Sequence, residues 1–429
     1  MTLLHITYYN NTSILAKANG KKILFDPWLI GTCYYGSWAI FPPINIDFSQ
    51  FDDIDYIHIS HIHPDHLHKE TLEKLPDVPV LIHKWDAKFV KNNIERIGKK
   101  VIELDHGVEF DCGNNLKLSV FAADGCNPAL CRNFFGCGKI SEPGSSVGID
   151  TFSVLDDGST RLAQINDCPY TLCKSSLDKI SSIDIALIGY TGASSYPQCW
   201  YSSHEERVRK ANEHKTFYLD AGLQFLNHLK PRYYMPYAGT YVMAGRRLWL
   251  EDYKATVTRQ EALNYYSSYK GGEGFLLSPH GTFSIDGGPT PYIPEDKTGY
   301  TYMFKDKYDY EYDDPTNDFE LLELANNAYK RYAAKMEELN YTSSTNVYIY
   351  LNDIILKLAH DGTGLGIVKK IEDLNYVSYK MDRRLLKRLL MGPAYANFNN
   401  ADIGSHIDFK REPDVYDRKL YYLMNYLHV

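Results

Sequence analysis

Ser60-His61-Ile62-His63-Pro64-Asp65-His66-Leu67-His68 places three imidazoles and a carboxylate within six residues, directly after the apolar run Asp55–Ser60, which reads as a strand. Packing does not account for such a cluster, because each unpaired imidazole in a core costs desolvation energy. At the C-terminal edge of a strand the same groups converge on a point where a divalent cation offsets that cost. The H-x-H-x-D-H spacing puts His61 and His63 on one face of the extended loop and swings Asp65 and His66 to the other. That geometry serves one metal ion or two adjacent ones. His68 reads as a bystander or a support behind the ligands.

Outward from this loop the chain alternates strands and helices. Leu4–Tyr9 and Ser13–Ala18 are strand-like, Asn19-Gly20 is a tight-turn signal, and Lys22–Asp26 resumes the ladder before Asp26-Pro27-Trp28 stops it. A second hairpin is written around Asp157-Gly158, with Thr151–Leu155 before it and Thr160–Ile165 after. Lys69–Leu75 is helical, Ile183–Ile188 is a buried strand, and Glu205–Leu229 has helical spacing closed by Lys230-Pro231. Hairpins at the start of each half imply two sheets sandwiched between helices. After about residue 300 the composition shifts: Asp306–Asp318 is acidic and rich in Tyr, and Phe319–Leu339 is an amphipathic helix. We therefore expect a catalytic domain over 1–300 and a small α+β domain over 301–429. In that tail Asn399-Asn400-Ala401-Asp402 and Arg411-Glu412-Pro413-Asp414 read as structured turns, and Tyr416–Tyr426 as helical. The tail is expected to help cover the cleft or to form a homodimer contact.

Composition narrows the function. The chain has 429 residues, 44% hydrophobic and 23% charged, as a folded globular protein does. A net charge of −8 and a pI near 6.0 speak against a general nucleic-acid-binding surface. No apolar run approaches the roughly 20 residues that span a bilayer, and Met1–Tyr9 alternates without a basic or apolar leader region. A cytoplasmic location is expected, with no membrane partner. The eight cysteines (Cys33, Cys112, Cys126, Cys131, Cys137, Cys168, Cys173 and Cys199) form no C-x-x-C pair and read as thiols. The 36 tyrosines serve packing or line a substrate cleft.

With these residues in place, the His-rich segment resembles the signature of the metallo-β-lactamase superfamily of metallo-hydrolases and oxidoreductases, which implies an α/β fold of the αββα sandwich type. Further blocks are similar, in order, to the catalytic region of the cytidine monophosphate-N-acetylneuraminate hydroxylase family. They are Asp26-Pro27-Trp28-Leu29, Asn166-Asp167-Cys168, Gly192-Ala193-Ser194-Ser195-Tyr196-Pro197, Pro236-Tyr237-Ala238-Gly239, Ile403-Gly404-Ser405-His406 and Arg411-Glu412-Pro413-Asp414. That family carries an N-terminal Rieske module with paired Cys and His ligands. This sequence shows no such pairs, so the resemblance implies that electrons come from a separate electron-transfer protein.

The resemblance also implies a third His after the signature, a bridging Asp and a last His late in the domain. Asp167 matches the bridging Asp, with a helix cap as the alternative. Where the third His is expected stands Ala123-Asp124-Gly125, so Asp124 replaces it or is an ordinary turn residue. Where the last His is expected stands Tyr237, a ligand for ferric iron or a packing residue. His83, His106 and His280 read as core or surface groups. The expected metal shell is thus His61, His63, Asp65, His66, Asp124 and Asp167, with Asp65 and Tyr237 as catalytic candidates. Three imidazoles with up to three carboxylates and no thiolate form a hard donor set, for one or two divalent ions. Iron is favoured, with zinc or manganese as alternatives. The leading expectation is an iron-dependent oxygenase acting on a nucleotide-linked amino sugar or glycan precursor. A zinc-type hydrolase on a related small molecule comes second, and a non-catalytic binding protein third.

Overall fold

The computed structural model describes residues 4–123, 150–297, 307–351 and 354–429. Its first sheet has eight strands, in the order Gly288–Pro289, Thr282–Ser284, His5–Asn10, Ser13–Ala18, Lys21–Phe25, Tyr56–His58, Val80–His83 and Val101–Leu104. Asn19-Gly20, both with positive φ, closes the hairpin between Ser13–Ala18 and Lys21–Phe25. From Lys21–Phe25 onward the strands run parallel, as crossovers through helices require. The second sheet has seven, in the order Glu273–Gly274, Tyr233–Pro236, Ile185–Ile188, Arg161–Gln164, Thr151–Asp156, Leu116–Ala122 and Phe110–Gly113.

Alternation along the strands puts Ile6, Ile14 and Ile23 of the first sheet against Leu118, Leu162 and Ile185 of the second in one buried apolar layer. Each such side chain stabilises the fold by about 1.5–3 kcal/mol relative to exposure. Helices Lys69–Lys74 and Phe89–Arg96 cover the first sheet through Leu72, Val90 and Ile94. Helices Tyr170–Leu177, His204–Leu229 and Arg259–Tyr266 cover the second through Leu172, Leu226 and Ala262. The result is the αββα sandwich expected from the sequence. Helix His204–Leu229 starts where Ser203 accepts from Glu206 N–H and stops at Lys230, left-handed before Pro231.

The C-terminal residues build a five-stranded sheet, in the order Leu365–Val368, Ile355–Leu358, Asn346–Tyr350, Tyr376–Lys380 and Asp408–Glu412. Helices Asp318–Glu338 and Arg383–Met391 bury Leu321, Ala325, Leu386 and Leu390 in its core. That core continues into Cys199, Trp200 and Leu250 of the sandwich. The edge strand Asp408–Glu412 joins the two: Phe409 N–H donates to the Cys199 carbonyl (2.8 Å), and the Phe409 ring stacks on Trp200 (4.3 Å between centroids). Residues 298–306, where the sequence reading sets a domain boundary, lie outside the described residues.

One local expectation fails. Asn399–Asp402 is not a turn but part of the helix Phe398–Ile403, because Asn397 caps it by accepting from Asn400 N–H (2.8 Å) and Phe398, Ala401 and Ile403 are buried. The last helix is also shorter than Tyr416–Tyr426, running Arg418–Met424 from the Asp417 cap. Among the described residues no helix is long and apolar enough to cross a membrane.

Candidate metal centre

The strand Tyr56–His58 delivers the His-rich loop to one end of the sandwich. Parallel pairing of Phe25 with His58 sets Asp26 beside the loop's start. There Asp26 accepts from Ser60 N–H (2.7 Å) and from Ser60 Oγ (2.7 Å). His66 N–H and Leu67 N–H both bond the His63 carbonyl (3.0 and 2.8 Å), a turn that folds His66 back over His61. His61 Nε2 and His63 Nδ1 then lie 2.8 Å apart, and the His61 and His66 rings are 4.0 Å apart between centroids.

Two carboxylates come from the other sheet. Thr151–Asp156 and Arg161–Gln164 pair antiparallel with Ser153 opposite Gln164. Continuing that register to the strand ends sets Asp150 opposite Asp167. Asp167 Oδ2 is 3.4 Å from His66 Nε2 and 3.8 Å from His61 Nε2, and Asp150 Oδ1 is 3.9 Å from His61 Nε2. Two donor groups result, each with its ligand atoms within 4.8 Å: His61, His63 and Asp150, and His61, His66 and Asp167. Asp65 lies beside the second group without being part of it, with Oδ2 at 3.5 Å from His66 Nε2.

The far nitrogen of each ring is tied down. His61 Nδ1 lies 3.0 Å from Ser60 Oγ, His66 Nδ1 lies 3.0 Å from Asp26 Oδ2, and His63 Nε2 lies 3.1 Å from Asn399 Oδ1. Such bonds leave the near nitrogens as lone pairs aimed at a shared point, as outer support does around a metal. Asp65 is held likewise, accepting from Asn11 Nδ2 (3.1 Å) and Tyr34 Oη (2.7 Å). His66 Nε2 and Asp150 Oδ1 are buried with no hydrogen-bond partner, so each is left unsatisfied facing the centre. The residues therefore fit one or two divalent ions.

The electrostatics agree. Burial pushes His61 well below the ordinary imidazole value, helped by His66 and His63, and burial also lowers His63. Both are therefore neutral, the form a metal takes. Burial opposes a charge on His66 too, but Asp65, Asp26 and Asp167 outweigh it and hold that ring well above its usual value. Burial and the neighbouring Asp167 push the Asp150 carboxyl up to about 8. Burial opposes a charge on Asp167 too, but the charge of His66 outweighs it and holds that carboxyl below the usual range.

Of the residues expected from the sequence, the structure thus gathers His61, His63, Asp65, His66 and Asp167. Asp124 lies outside the described residues, as do Cys126, Cys131 and Cys137. Tyr237 is fully buried between the sheets, donating to the Thr12 carbonyl and accepting from Gln164 Nε2 (3.4 Å), and is not in either donor group. His68 caps the helix Lys69–Lys74, its ring accepting from Thr71 N–H (3.2 Å). His83 and His106 contact each other (3.3 Å), and His280 sits edge-on to Tyr9. Sequence reasoning missed Asp26, Asp150, Tyr34 and Asn399. None carried a decisive local signal: a two-residue turn at Asp157-Gly158 sets Asp150 opposite Ile165, and only the observed loop, with Asp156 opposite Arg161, sets it opposite Asp167.

A cavity of about 250 Å³ opens at the centre. His63, Asp150 and Asp167 lie in its wall, with Tyr170, Phe217 and Tyr218 among its aromatic residues.

An αββα sandwich with such a donor set at one end is that of a metal-dependent enzyme. The chain belongs to the metallo-β-lactamase superfamily: residues 5–237 match the family described as the beta-lactamase superfamily domain. It is similar to the cytidine monophosphate-N-acetylneuraminic acid hydroxylase of Macaca mulatta, 24% identical over 327 residues, covering 72% of this chain and 51% of that protein. The inactive human homologue of that enzyme is 26% identical over 250 residues, covering 56% and 45%. The chain thus spans about half the length of these relatives. Among solved structures it is similar to CmlA, a diiron beta-hydroxylase from Streptomyces venezuelae (15% identity, TM-score 0.44, covering 66% of this chain and 55% of that one). It is also similar to the isothiocyanate hydrolase from Delia radicum gut bacteria (14% identity, TM-score 0.46, covering 66% and 99%).

Proposed function

We propose that this enzyme is an iron-dependent hydroxylase of a nucleotide-linked amino sugar or related glycan precursor. The observation that carries the reading is the donor group of His61, His63 and Asp150, which joins two imidazoles to one carboxylate and shares His61 with the group of His66 and Asp167. Two His with one carboxylate is the set that leaves positions open on ferrous iron. The substrate class is supported by the likeness to the hydroxylase relatives. Bound iron would supply redox chemistry with dioxygen at the positions the protein leaves free. The overall reaction turns a substrate C–H and O2 into C–OH and water, consuming two electrons and two protons. A separate electron-transfer protein in the same compartment, the cytoplasm in this reading, supplies the electrons.

The chain's own residues have defined tasks. His61, His63 and Asp150 hold one side, and His66, Asp65 and Asp167 the other. Asp26, Ser60 and Asn399 orient the rings. Tyr34 and Asn11 fix Asp65, leaving its Oδ2 facing His66 as a place to hold or pass a proton. The aromatic wall limits water around the substrate.

One observation favours a hydrolase instead. Asp167 faces both His61 and His66, and in a hydrolase these residues would hold metal that activates water. Elemental analysis of protein purified without chelators, followed by oxygen-electrode assays, separates the two. The hydroxylase reading expects iron, and oxygen uptake that needs both a reductant and a nucleotide-linked amino sugar. Anaerobic turnover by the zinc form, with an inert iron form, would leave the hydrolase standing.

A further inference from the structure

We propose that the cavity takes an anionic sugar, and that Arg411 of the C-terminal sheet receives its carboxylate or phosphate. The inference rests on the hydroxylase reading only for its choice of probes. Arg411 is the one Lys or Arg among the described residues of the cavity wall. The imidazole of His214, also in the wall, is kept below its ordinary value by burial and adds no second positive charge at neutral pH. Arg411 and Phe409 lie on the same face of the edge strand, both against Trp200, with the guanidinium carbon 4.6 Å from the indole ring. Asp414 accepts from Arg411 Nε at 2.6 Å, which orients the guanidinium. A planar fork fixed in this way suits carboxylate and phosphate oxygens better than a flexible ammonium does.

Two further features point to a ligand and not merely to a latch between the units. Asn166, next to Asp167 in the wall, is buried with neither its amide nitrogen nor its amide oxygen bonded within the protein. Such a group is unfavourable unless something else satisfies it, and an N-acyl or hydroxyl group would. The second feature is size. At about 250 Å³ the cavity is below the ~300–1,000 Å³ of whole-ligand pockets. It encloses one sugar ring against the aromatic side chains, while an attached nucleotide would project outward. The C-terminal unit therefore supplies the charge selection, and the sandwich supplies the metal ligands.

Isothermal titration of metal-loaded full chain tests this, with N-acetylneuraminic acid, its uncharged methyl ester and cytidine monophosphate as probes. Wild type should bind the acid or the monophosphate, which separates carboxylate from phosphate recognition. Arg411→Gln should weaken that binding by about tenfold or more while changing ester binding less than about twofold. If the glutamine variant does not fold, Arg411→Lys keeps the ion pair with Asp414 but loses the fork. It should then weaken the anion by about threefold and spare the ester. Equal losses for acid and ester, no loss for either anion, or no anion binding to wild type would overturn the proposal. Anion binding that depends on Arg411, without oxygen-dependent turnover of any amino sugar, would keep this site and remove the hydroxylase. Turnover with unchanged KM in Arg411→Gln would do the reverse.

Discussion

Asn399 is the farthest reach of the C-terminal unit into the metal centre, and its removal should be felt there first. Its Oδ1 lies 3.1 Å from His63 Nε2 and favours the tautomer with the proton on that nitrogen, leaving Nδ1 free for a metal. Asn399→Ala deletes the acceptor and lets the other tautomer compete. A neutral hydrogen bond contributes about 0.5–1.5 kcal/mol net. Outer-support changes of this kind typically lower metal affinity by roughly 10–100-fold, or about 1.4–2.7 kcal/mol. The helix Phe398–Ile403 should survive, since Ala is the best helix former and the Asn397 cap is untouched. Competition against a chromophoric zinc chelator, with circular dichroism alongside, measures both quantities. Asn399→Asp keeps an acceptor and adds negative charge, so affinity should stay at or above wild type. The reasoning is refuted if Asn399→Ala binds metal as wild type does, or if both variants lose affinity equally.

Four other outcomes follow from the same structure. A His61→Ala/His63→Ala chain should lose most of its bound metal by elemental analysis yet keep native circular dichroism; wild-type metal content would remove both from the ligand set. Asp150→Asn should lower metal affinity by more than the roughly 10–100-fold of an outer-support loss, and unchanged affinity in a chelator titration would refute the hairpin register argument. Burial raises the Asp402 carboxyl from 3.8 to about 7, against its bond from Ser195 and the charge of Arg411. The folded chain thus holds an extra proton between about pH 4 and 7, and this stability is full below pH 4 and lost as pH rises through 7. Urea titrations should show wild type losing up to about 4 kcal/mol relative to Asp402→Asn between pH 4 and 8, and parallel profiles would count against it. Gly272→Ala should cost about 1–3 kcal/mol in thermal unfolding, because an added Cβ would overlap the backbone carbonyls of Pro231 and Arg232; an unchanged Tm would show that this turn can shift.

The parts of the centre that were legible in the sequence are those written locally. His61, His63, Asp65 and His66 sit on one loop, so their spacing alone predicts convergence. The hairpins could be read from Asn19-Gly20 and Asp157-Gly158, and with them the sandwich. Asp150 was harder to read, because its place opposite Asp167 depends on the longer loop between Asp156 and Arg161, and Asp124 lies outside the described residues. Asp26 illustrates a different limit. Its part in Asp26-Pro27-Trp28 was readable as a strand stop, whereas its bond to His66 depends on Lys21–Phe25 lying parallel beside Tyr56–His58. Asn399 lay beyond any local rule. It is 336 residues from His63 in sequence, and Asn399-Asn400 resembles turn chemistry until the Asn397 cap and the buried Phe398 and Ile403 are seen in space.

The charge balance ties these pieces together. Asp26, Asp65, Asp150 and Asp167 meet around three imidazoles, and among the described residues their ion-pair partners are His61 and His66 and not a Lys or Arg. Buried charge without compensation costs several kcal/mol per ion, so this arrangement persists only if something positive enters. In the chain by itself protons answer, which is why His66 is held charged and Asp150 is pushed up to about 8. A bound cation reverses that logic by displacing both protons. One divalent ion offsets half of the four carboxylates and two offset all of them, so the donor set accommodates one ion or two. Arg411, paired with Asp414, is the one fixed cation among the described residues of the cavity wall. On the proposed reading the sandwich concentrates negative charge for metal, and the C-terminal unit sets a cation against the substrate. Neither half of that division works alone, because Asn399 and Arg411 reach the centre only when the C-terminal sheet is seated on Cys199 and Trp200.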